Sequence, residues 1–141
     1  MTTRQDDHAD RGPVASLASS AATQPHWDGL ARGELLIPRC ESCGEFFFYP
    51  REVCPSCAGR DISFRQAAGT GTVVAASTAR VALNAWPAED VPYTAVLVRL
   101  EEGVIIPGRL AQVAEGPIVG APVEVSFAAN AESELPRWKL T

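Results

Sequence analysis

The sequence lacks several features that identify common protein classes. It has four cysteines, two histidines and one methionine in 141 residues. No run of about 18 apolar residues occurs, and a membrane-spanning helix needs such a run. The N-terminal segment carries Asp6, Asp7 and Asp10 without a continuous apolar stretch, so we expect no secretory signal. A cytoplasmic protein is the resulting expectation.

Motifs of common catalytic sites are also missing. The sequence contains no G-x-S-x-G elbow, Walker loop or G-x-G-x-x-G. His8 lies in the N-terminal segment and His26 near the start of a predicted helix, so neither is a persuasive general base. The pairs Glu89-Asp90 and Glu101-Glu102 fall in a predicted loop and turn, where solvated carboxylates are usual. We therefore expect no catalysis by this chain alone.

The charge balance limits the class of partner. The formal net charge is −5 at pH 7, which argues against a protein that wraps a nucleic-acid backbone. A single-strand nucleic-acid binder stays open as an alternative, because small metal-bound ribbons and β-barrels, both of which the cysteine and strand patterns of this chain predict, recur in that class.

The cysteines form the strongest motif. They are arranged as C-x2-C, ten residues, C-x2-C, and this spacing predicts a tetrahedral zinc cage formed by Cys40, Cys43, Cys54 and Cys57. Four thiolates leave no open coordination position, so the zinc is predicted to be structural. Iron is the alternative metal and implies a one-electron carrier. Two disulfides are the other alternative and require an oxidising compartment.

The region before the cysteines divides into a tail and a short helix. Residues 1–22 are rich in small and polar residues, which predicts a disordered tail. Pro25 in a first turn and Gly33 as a stop predict a helix over residues 23–33. Its predicted apolar stripe packs on the ribbon or in a partner's groove, and consists of Trp27, Leu30 and Ala31.

The predicted zinc ribbon covers residues 34–66. A strand over Glu34–Pro38 leads into the first cysteine pair, and four aromatic residues, Phe46, Phe47, Phe48 and Tyr49, lie between the pairs. Consecutive side chains on a strand face opposite sides, so a small ribbon cannot cover all four rings. Some rings are expected to cap the metal site and the others to form a partner interface. A stacking platform for bases is the third reading.

Residues 67–141 have a β pattern. Gly69–Thr72 predicts a turn that enters a strand, and Thr94 to Leu100 alternate in polarity. Pro107 has no N–H to donate to a neighbouring strand, so its strand is predicted to lie at a sheet edge or to contain a bulge. We predict a five-stranded OB-fold barrel, with a β-sandwich as the alternative. The predicted strands cover residues 73–83, 93–100, 104–110, 123–127 and 135–140.

Several local sequences occur together in an informative order. A Trp27 helix precedes a four-cysteine ribbon containing Tyr49-Pro50-Arg51, and the barrel opens with Gly-Thr-Gly-Thr-Val. Asp90-Val91-Pro92-Tyr93 and Leu135-Pro136-Arg137-Trp138 follow. From about residue 23 to 140, the chain resembles the acyl-CoA-associated OB-fold proteins with a rubredoxin-like zinc ribbon, a former domain-of-unknown-function family.

The resemblance implies a non-catalytic accessory subunit. Its expected partner is a thiolase-superfamily enzyme, either a thiolase or a retro-aldolase that shortens steroid side chains as CoA thioesters, in a heterotetramer. A hot-dog-fold enoyl-CoA hydratase is the alternative partner. The subunit is expected to share an acyl-CoA ligand with its partner, and arginines are suited to the CoA phosphates. The residues nominated for these phosphates are Arg51, Arg80 and Arg109, and those nominated for the partner interface are Trp27, Leu30, Phe46, Phe47, Phe48 and Tyr49.

Overall fold

The computed structural model describes residues 20–81, 91–127 and 135–141. Most of the predicted tail, the end of the predicted 73–83 strand and the Glu89-Asp90 pair lie outside these residues. Within them, no helix is both long and apolar enough to cross a membrane. The elements in chain order are α1 (Gln24–Ala31), β1 (Leu36–Cys40), β2 (Ile62–Gln66), β3 (Thr70–Ala79), β4 (Tyr93–Leu100), β5 (Ile105–Leu110), β6 (Pro122–Ser126) and β7 (Arg137–Leu140).

Helix α1 begins and ends close to the predicted positions. Pro25 lies in its first turn, and Gly33 follows the helix with φ of +78°. The predicted apolar stripe is confirmed only in part: Leu30 is half-buried and packs against the core, whereas Ala31 is exposed and the buried residues are His26 and Gly29. The reason is the close approach of α1 to β1. A Cβ on Gly29 would lie 2.8 Å from Leu36 Cγ, so only glycine permits this packing.

The ribbon is a two-stranded antiparallel sheet of β1 and β2. The register runs from Leu36 opposite Gln66 to Cys40 opposite Ile62. The predicted strand over Glu34–Pro38 is confirmed with a shift of two residues, whereas β2 was not predicted.

The aromatic segment between the cysteine pairs is not a strand, contrary to the prediction. Phe46 forms a single bridge with Arg39, and the N–H of Phe47 donates to the carbonyl of Pro38 at 3.2 Å. The chain then turns before Pro50. It has to turn here because Cys54 must return to the first cysteine pair.

Five strands form a closed barrel in the order β3-β4-β5-β7-β6. All neighbours are antiparallel except β5 and β7, which are parallel. The predicted barrel is therefore confirmed and the sandwich alternative is wrong. The predicted alternation of β4 is also confirmed, because Thr94, Val96, Val98 and Leu100 are buried while Ala95, Leu97 and Arg99 are exposed.

Closure depends on local features of β3 and β5. Strand β3 pairs with both β4 and β6, and its register shifts between Val73 and Ala75 as in a β-bulge. Gly71 lies so close to the backbone of Arg99 that a Cβ would clash with the Arg99 carbonyl. Pro107 lies opposite Leu97 of β4, and the described pairing of β5 with β7 involves only Arg109 and Leu110. Pro107 thus lies in the part of β5 that pairs with β4 but not with β7, which agrees with the predicted edge position.

The ribbon and the barrel share one hydrophobic core. Leu35, Ile37 and Ala67 belong to the same buried cluster as the barrel side chains Val73, Val96, Val98, Leu100, Ile106, Leu110, Val123 and Trp138. Leu30, Phe46 and Phe48 pack against this cluster from the outside. Because one core includes side chains from both sides of residue 66, the division of the chain into a ribbon (34–66) and a barrel (67–141) stays a prediction.

Candidate metal centre

The two cysteine pairs lie on turns with the same backbone pattern. In each, the N–H of the residue after the second cysteine donates to the carbonyl of the first, at 2.7 and 2.9 Å. The N–H of each first cysteine donates to the carbonyl two residues beyond the second, at 2.9 and 2.8 Å. The residue after each second cysteine has a positive φ, 79° for Gly44 and 61° for Ala58. The two knuckles therefore present their thiols in the same way.

The four sulfurs converge on one point. All lie within 4.8 Å of one another, with Cys40 Sγ 3.6 Å from Cys57 Sγ and Cys43 Sγ 3.7 Å from Cys54 Sγ. Sulfurs at the corners of a tetrahedral zinc site are about 3.8 Å apart, given Zn–S bonds of about 2.3 Å. None of the cysteines is in a disulfide. The donor set therefore fits a structural zinc.

Backbone donors favour thiolates at this site. The N–H groups of Ser56 and Gly59 lie 3.4 Å from Cys54 Sγ and Cys57 Sγ, respectively. Hydrogen bonds, the strongest from the backbone N–H of Cys43, lower the pKa of the Cys40 thiol to about 7. Backbone hydrogen bonds from Glu45 and Gly59 also act to lower the pKa values of Cys43 and Cys57, but burial and the neighbouring thiols outweigh them and raise the pKa of Cys43 to about 12 and that of Cys57 above its ordinary value. Because metal binds the thiolate form, these donors lower the cost of deprotonation.

A polar network joins the first knuckle to both ribbon strands. The Glu41 carboxylate accepts a short hydrogen bond from the Ser63 hydroxyl and another from Arg65 at 3.1 Å. The bond from Ser63, followed by that from Arg65, lowers the pKa of Glu41. Arg39 donates to the carbonyl of Gly44 at 3.3 Å. These contacts lie at the surface and orient the knuckle more than they stabilise it.

The residues nominated for a partner interface differ in exposure. Phe47 is buried, at 7% exposed, and packs against Cys40 and Cys54. Trp27, Leu30, Phe46 and Phe48 are half-buried, and Tyr49 is 43% exposed. Phe47 thus shields the metal site, and Tyr49 presents the largest exposed fraction of the six.

His26 has a structural role in this region that its sequence context did not predict. Its ring is fully buried, and its Nδ1 lies 2.8 Å from the carbonyl oxygen of Leu36. A carbonyl only accepts hydrogen bonds, so Nδ1 carries the proton and Nε2 is bare. Nε2 has no partner among the described residues, and the ring contacts those of Trp27 and Phe48 edge-on. Desolvation by burial lowers the pKa of His26.

The three nominated arginines are not at one site. Arg51 lies in the ribbon, beside a cavity that also contacts Pro25. Arg109 lies on β5, with its guanidinium 4.8 Å from the Tyr93 ring centre. Arg80 directly follows Ala79, which pairs with Tyr93 in the β3–β4 register. The fold thus brings Arg80 and Arg109 to the strand end marked by Tyr93, whereas Arg51 belongs to the ribbon.

Comparisons with known proteins agree with this architecture. Residues 27–63 match the family described as "ChsH2, rubredoxin-like zinc ribbon domain", and residues 64–128 match "ChsH2, C-terminal OB-fold domain". Over 96 residues, the chain is 34% identical to a DUF35 domain-containing scaffold protein of Methanocaldococcus jannaschii, covering 66% of this chain and 67% of that protein. The chain belongs to the DUF35 family.

Two solved structures are similar in fold to this DUF35 chain. A chain of the structure described as "Ltp2-ChsH2(DUF35) aldolase" is 28% identical with a TM-score of 0.76, covering 87% of this chain and 97% of that one. A DUF35 protein of unknown function from Sulfolobus solfataricus has a TM-score of 0.61 at 18% identity, with 87% of each chain covered. The latter likeness concerns the fold alone.

A second sequence relative is much longer. The chain is 35% identical over 115 residues to a "Probable enoyl-CoA hydratase alpha subunit" of Thermomonospora curvata. The match covers 80% of this chain but only 35% of that subunit, so the DUF35 chain spans about a third of the relative.

Proposed function

We propose that this DUF35 chain is a non-catalytic accessory subunit that binds a thiolase-superfamily enzyme and helps to form its acyl-CoA site. The observation that carries the proposal is the match to 97% of the DUF35 chain in an Ltp2-ChsH2 aldolase. A steroid side-chain retro-aldolase is the proposed partner type, and a heterotetramer is the proposed assembly.

The chemistry of the described residues supports a role without catalysis. The four cysteines form one metal-binding set in which every thiol is a ligand candidate. His26 is fully buried, and its protonated nitrogen faces a backbone carbonyl. Neither kind of group is available to attack or deprotonate a bound thioester, so the reactive groups are assigned to the partner.

The half-buried aromatic rings support a docking role. Trp27, His26, Phe48 and Tyr49 form a continuous series of edge-on ring contacts, with neighbouring centres 5.1 to 5.4 Å apart. The series runs from helix α1 to the exposed ring of Tyr49. Aromatic side chains held in this way offer apolar contact area with little loss of side-chain freedom, as protein interfaces favour. We assign Tyr49 and Trp27 to the partner interface.

Arg80 and Arg109 are the proposed contacts for CoA phosphates. The Tyr93 ring holds the Arg109 guanidinium in place, and Arg109 Nε is buried without a hydrogen-bond partner among the described residues. An oriented guanidinium with an unused N–H is suited to a phosphate. Arg51, which lies in the ribbon, is the weaker candidate for this ligand.

Coexpression with a thiolase-superfamily aldolase subunit tests the proposal. We expect a stable complex by size-exclusion chromatography with mass measurement, and retro-aldol turnover that requires both chains. Tyr49→Asp is expected to weaken the complex while the isolated chain keeps its zinc. An enzyme subunit that is fully active alone and never binds this chain would refute the proposal.

The phosphate contacts need a separate measurement. Arg109→Gln is expected to raise KM for the acyl-CoA about tenfold, the order of one charge-assisted hydrogen bond. Arg99→Gln is the matched control, since Arg99 is an exposed arginine on the neighbouring strand β4. Equal KM values for the two variants would remove Arg109 from the ligand site.

A hydratase partner is the second candidate, favoured by the 35% identity to a hydratase alpha subunit. The same coexpression with a hydratase-type subunit distinguishes the two. Complex formation with the hydratase subunit and not with the aldolase subunit would replace the first candidate by the second.

A further inference from the structure

We propose that the open edge of strand β2 receives an extended segment of the partner enzyme, which adds a strand to the ribbon sheet. This inference rests on the proposed function, because it names the surface through which the accessory subunit is held. Strand β2 pairs with β1 on one side, and no further strand pairs with it among the described residues.

The hydrogen-bond pattern identifies the backbone groups on the open side. The N–H of Glu41 donates to the carbonyl of Asp61, and the N–H of Ala67 donates to the carbonyl of Leu35. In an antiparallel pair, alternate residues point their N–H and C=O groups to the same side. Residues 61, 63, 65 and 67 therefore face β1, and Ile62, Phe64 and Gln66 face outward.

The opposite side of the ribbon confirms this alternation. Pro38, the register partner of Phe64, has no N–H, and its carbonyl accepts from Phe47 on the side away from β2. No backbone hydrogen bond joins Ile62, Phe64 or Gln66 to a described residue outside the sheet. Each of these three residues offers an N–H and a C=O to an added strand.

A side-chain cavity lies beside the same edge. Its volume is about 370 Å³, and Ile62 and Phe64 line it together with Pro25 of helix α1. An added strand places alternate side chains on one face of the sheet. One apolar side chain of that strand can enter this cavity and contact Ile62 and Phe64.

The charge of the cavity indicates the chemistry of the segment. Arg51 and Arg60 line it, both are exposed, and neither forms an ion pair within the described part of the chain. Glu52 is the one acidic residue among the lining residues. The expected segment is extended and carries an apolar side chain and a nearby carboxylate that reaches Arg51 or Arg60.

A second copy of the chain is a poorer occupant. Two β2 edges paired with each other would bring together copies of Ile62–Gln66, a segment with Arg65 and no carboxylate. Such a pair would leave Arg51 and Arg60 without an acidic partner from that edge. A partner strand of different sequence meets both requirements.

Hydrogen exchange on the full-length chain, alone and in its complex with the coexpressed enzyme subunit, tests this surface. In the isolated chain, the amides of Ile62, Phe64 and Gln66 should exchange fast while those of Ser63 and Arg65 are protected. In the complex, the first three should become protected. Protection of these three amides in the isolated chain would overturn the proposal: if independent of concentration, the chain covers its own edge, and if concentration-dependent, a second copy does.

Two variants complete the test. Arg60→Glu should weaken the complex about tenfold, as expected for loss of one charge-assisted contact, while Arg99→Glu on the barrel should not. Gln66→Pro removes an outward N–H and should weaken binding with the zinc content unchanged. A complex that forms with unprotected β2 amides and tolerates Arg60→Glu would overturn the strand addition but leave the accessory role. Failure of the wild-type chain to form any complex would overturn both.

Discussion

Acidification is predicted to destabilise this protein through His26. In the folded chain, the ring is fully buried, Nδ1 donates to the carbonyl of Leu36, and Nε2 has no described partner. Protonation would place a second N–H and a positive charge on a buried ring whose neighbours include the aromatic rings of Trp27 and Phe48. Burial therefore lowers the pKa of His26 in the folded state.

The sign and size follow from proton linkage. Below the unfolded pKa of about 6.5, the unfolded chain takes up a proton that the folded chain does not. The free energy of unfolding therefore decreases as the pH is lowered. The loss is about 1.4 kcal/mol for each pH unit between the unfolded pKa and the lowered folded pKa. Above the unfolded pKa, both states hold the neutral ring and the contribution is constant.

Urea denaturation at several pH values between 8 and 5 is the measurement. His26→Asn is the matched variant, because the Asn side chain retains a donor near the position of Nδ1 and does not titrate. We expect the variant to be less stable at pH 8 through lost packing, but to lack the additional slope below pH 6.5. Zinc content is measured at each pH, because protonation of the cysteines also releases metal.

The difference between the two slopes isolates His26, since the carboxylates and the cysteines are common to both proteins. Identical pH dependence in the wild type and His26→Asn would refute the reasoning. It would mean that the folded protein accommodates the charged ring, for example through a partner for Nε2.

Three further predictions concern the metal site and the barrel. Zinc chelation should expose β1 and β2 to hydrogen exchange before the barrel strands, because structural zinc contributes about 10–16 kcal/mol in isolated finger peptides. Gly59→Ala should weaken zinc affinity by about 10- to 100-fold, because the added Cβ would lie 3.2 Å from the sulfurs of Cys40 and Cys57. A competitive chelator titration measures the zinc affinity. Gly108→Ala should cost about 1–3 kcal/mol in thermal or urea unfolding, because the Cβ would lie 2.5 Å from Trp138 Nε1.

Matched glycine variants serve as controls for the last two. Ala58→Gly, at a φ of 61°, should leave zinc affinity intact and change stability by at most about 1 kcal/mol. Gly116→Ala enters open space and should be neutral. Unchanged zinc affinity in Gly59→Ala, or equal stability of the two barrel variants, would contradict the close contacts. Barrel amides that exchange together with those of β1 after chelation would contradict a separately unfolding ribbon.

Strong local signals predicted much of this fold. The cysteine spacing fixed the metal site because two-residue gaps constrain the backbone wherever they occur. The alternation in β4 predicted its buried face because one side of a barrel strand must be apolar. Gly33 and Pro107 marked a helix end and a partly unpaired strand through restrictions on their own backbones.

Features that depend on distant parts of the chain were missed. Strand β2 reads Ile-Ser-Phe-Arg-Gln and is half-exposed, so its sequence pattern is weak. The two cysteine knuckles, which come between β1 and β2 in the chain, bring it to β1. The structural role of His26 was missed because its hydrogen bond crosses from α1 to β1. The glycine three residues later was the available signal, since it marks the helix face that lies closest to another backbone.

The order of elements along the chain has a consequence for biosynthesis. All metal ligands precede the barrel strands in the chain, so both knuckles can emerge from the ribosome and capture zinc while the end of the barrel is still being translated. The barrel cannot close until β7 emerges, since that late strand fits between β5 and β6. Until then, Leu35 and Ile37 lack most of the neighbours that bury them. The nascent chain therefore exposes a metal-loaded ribbon with an uncovered apolar side, which is the stage at which a chaperone or the partner enzyme has most to recognise.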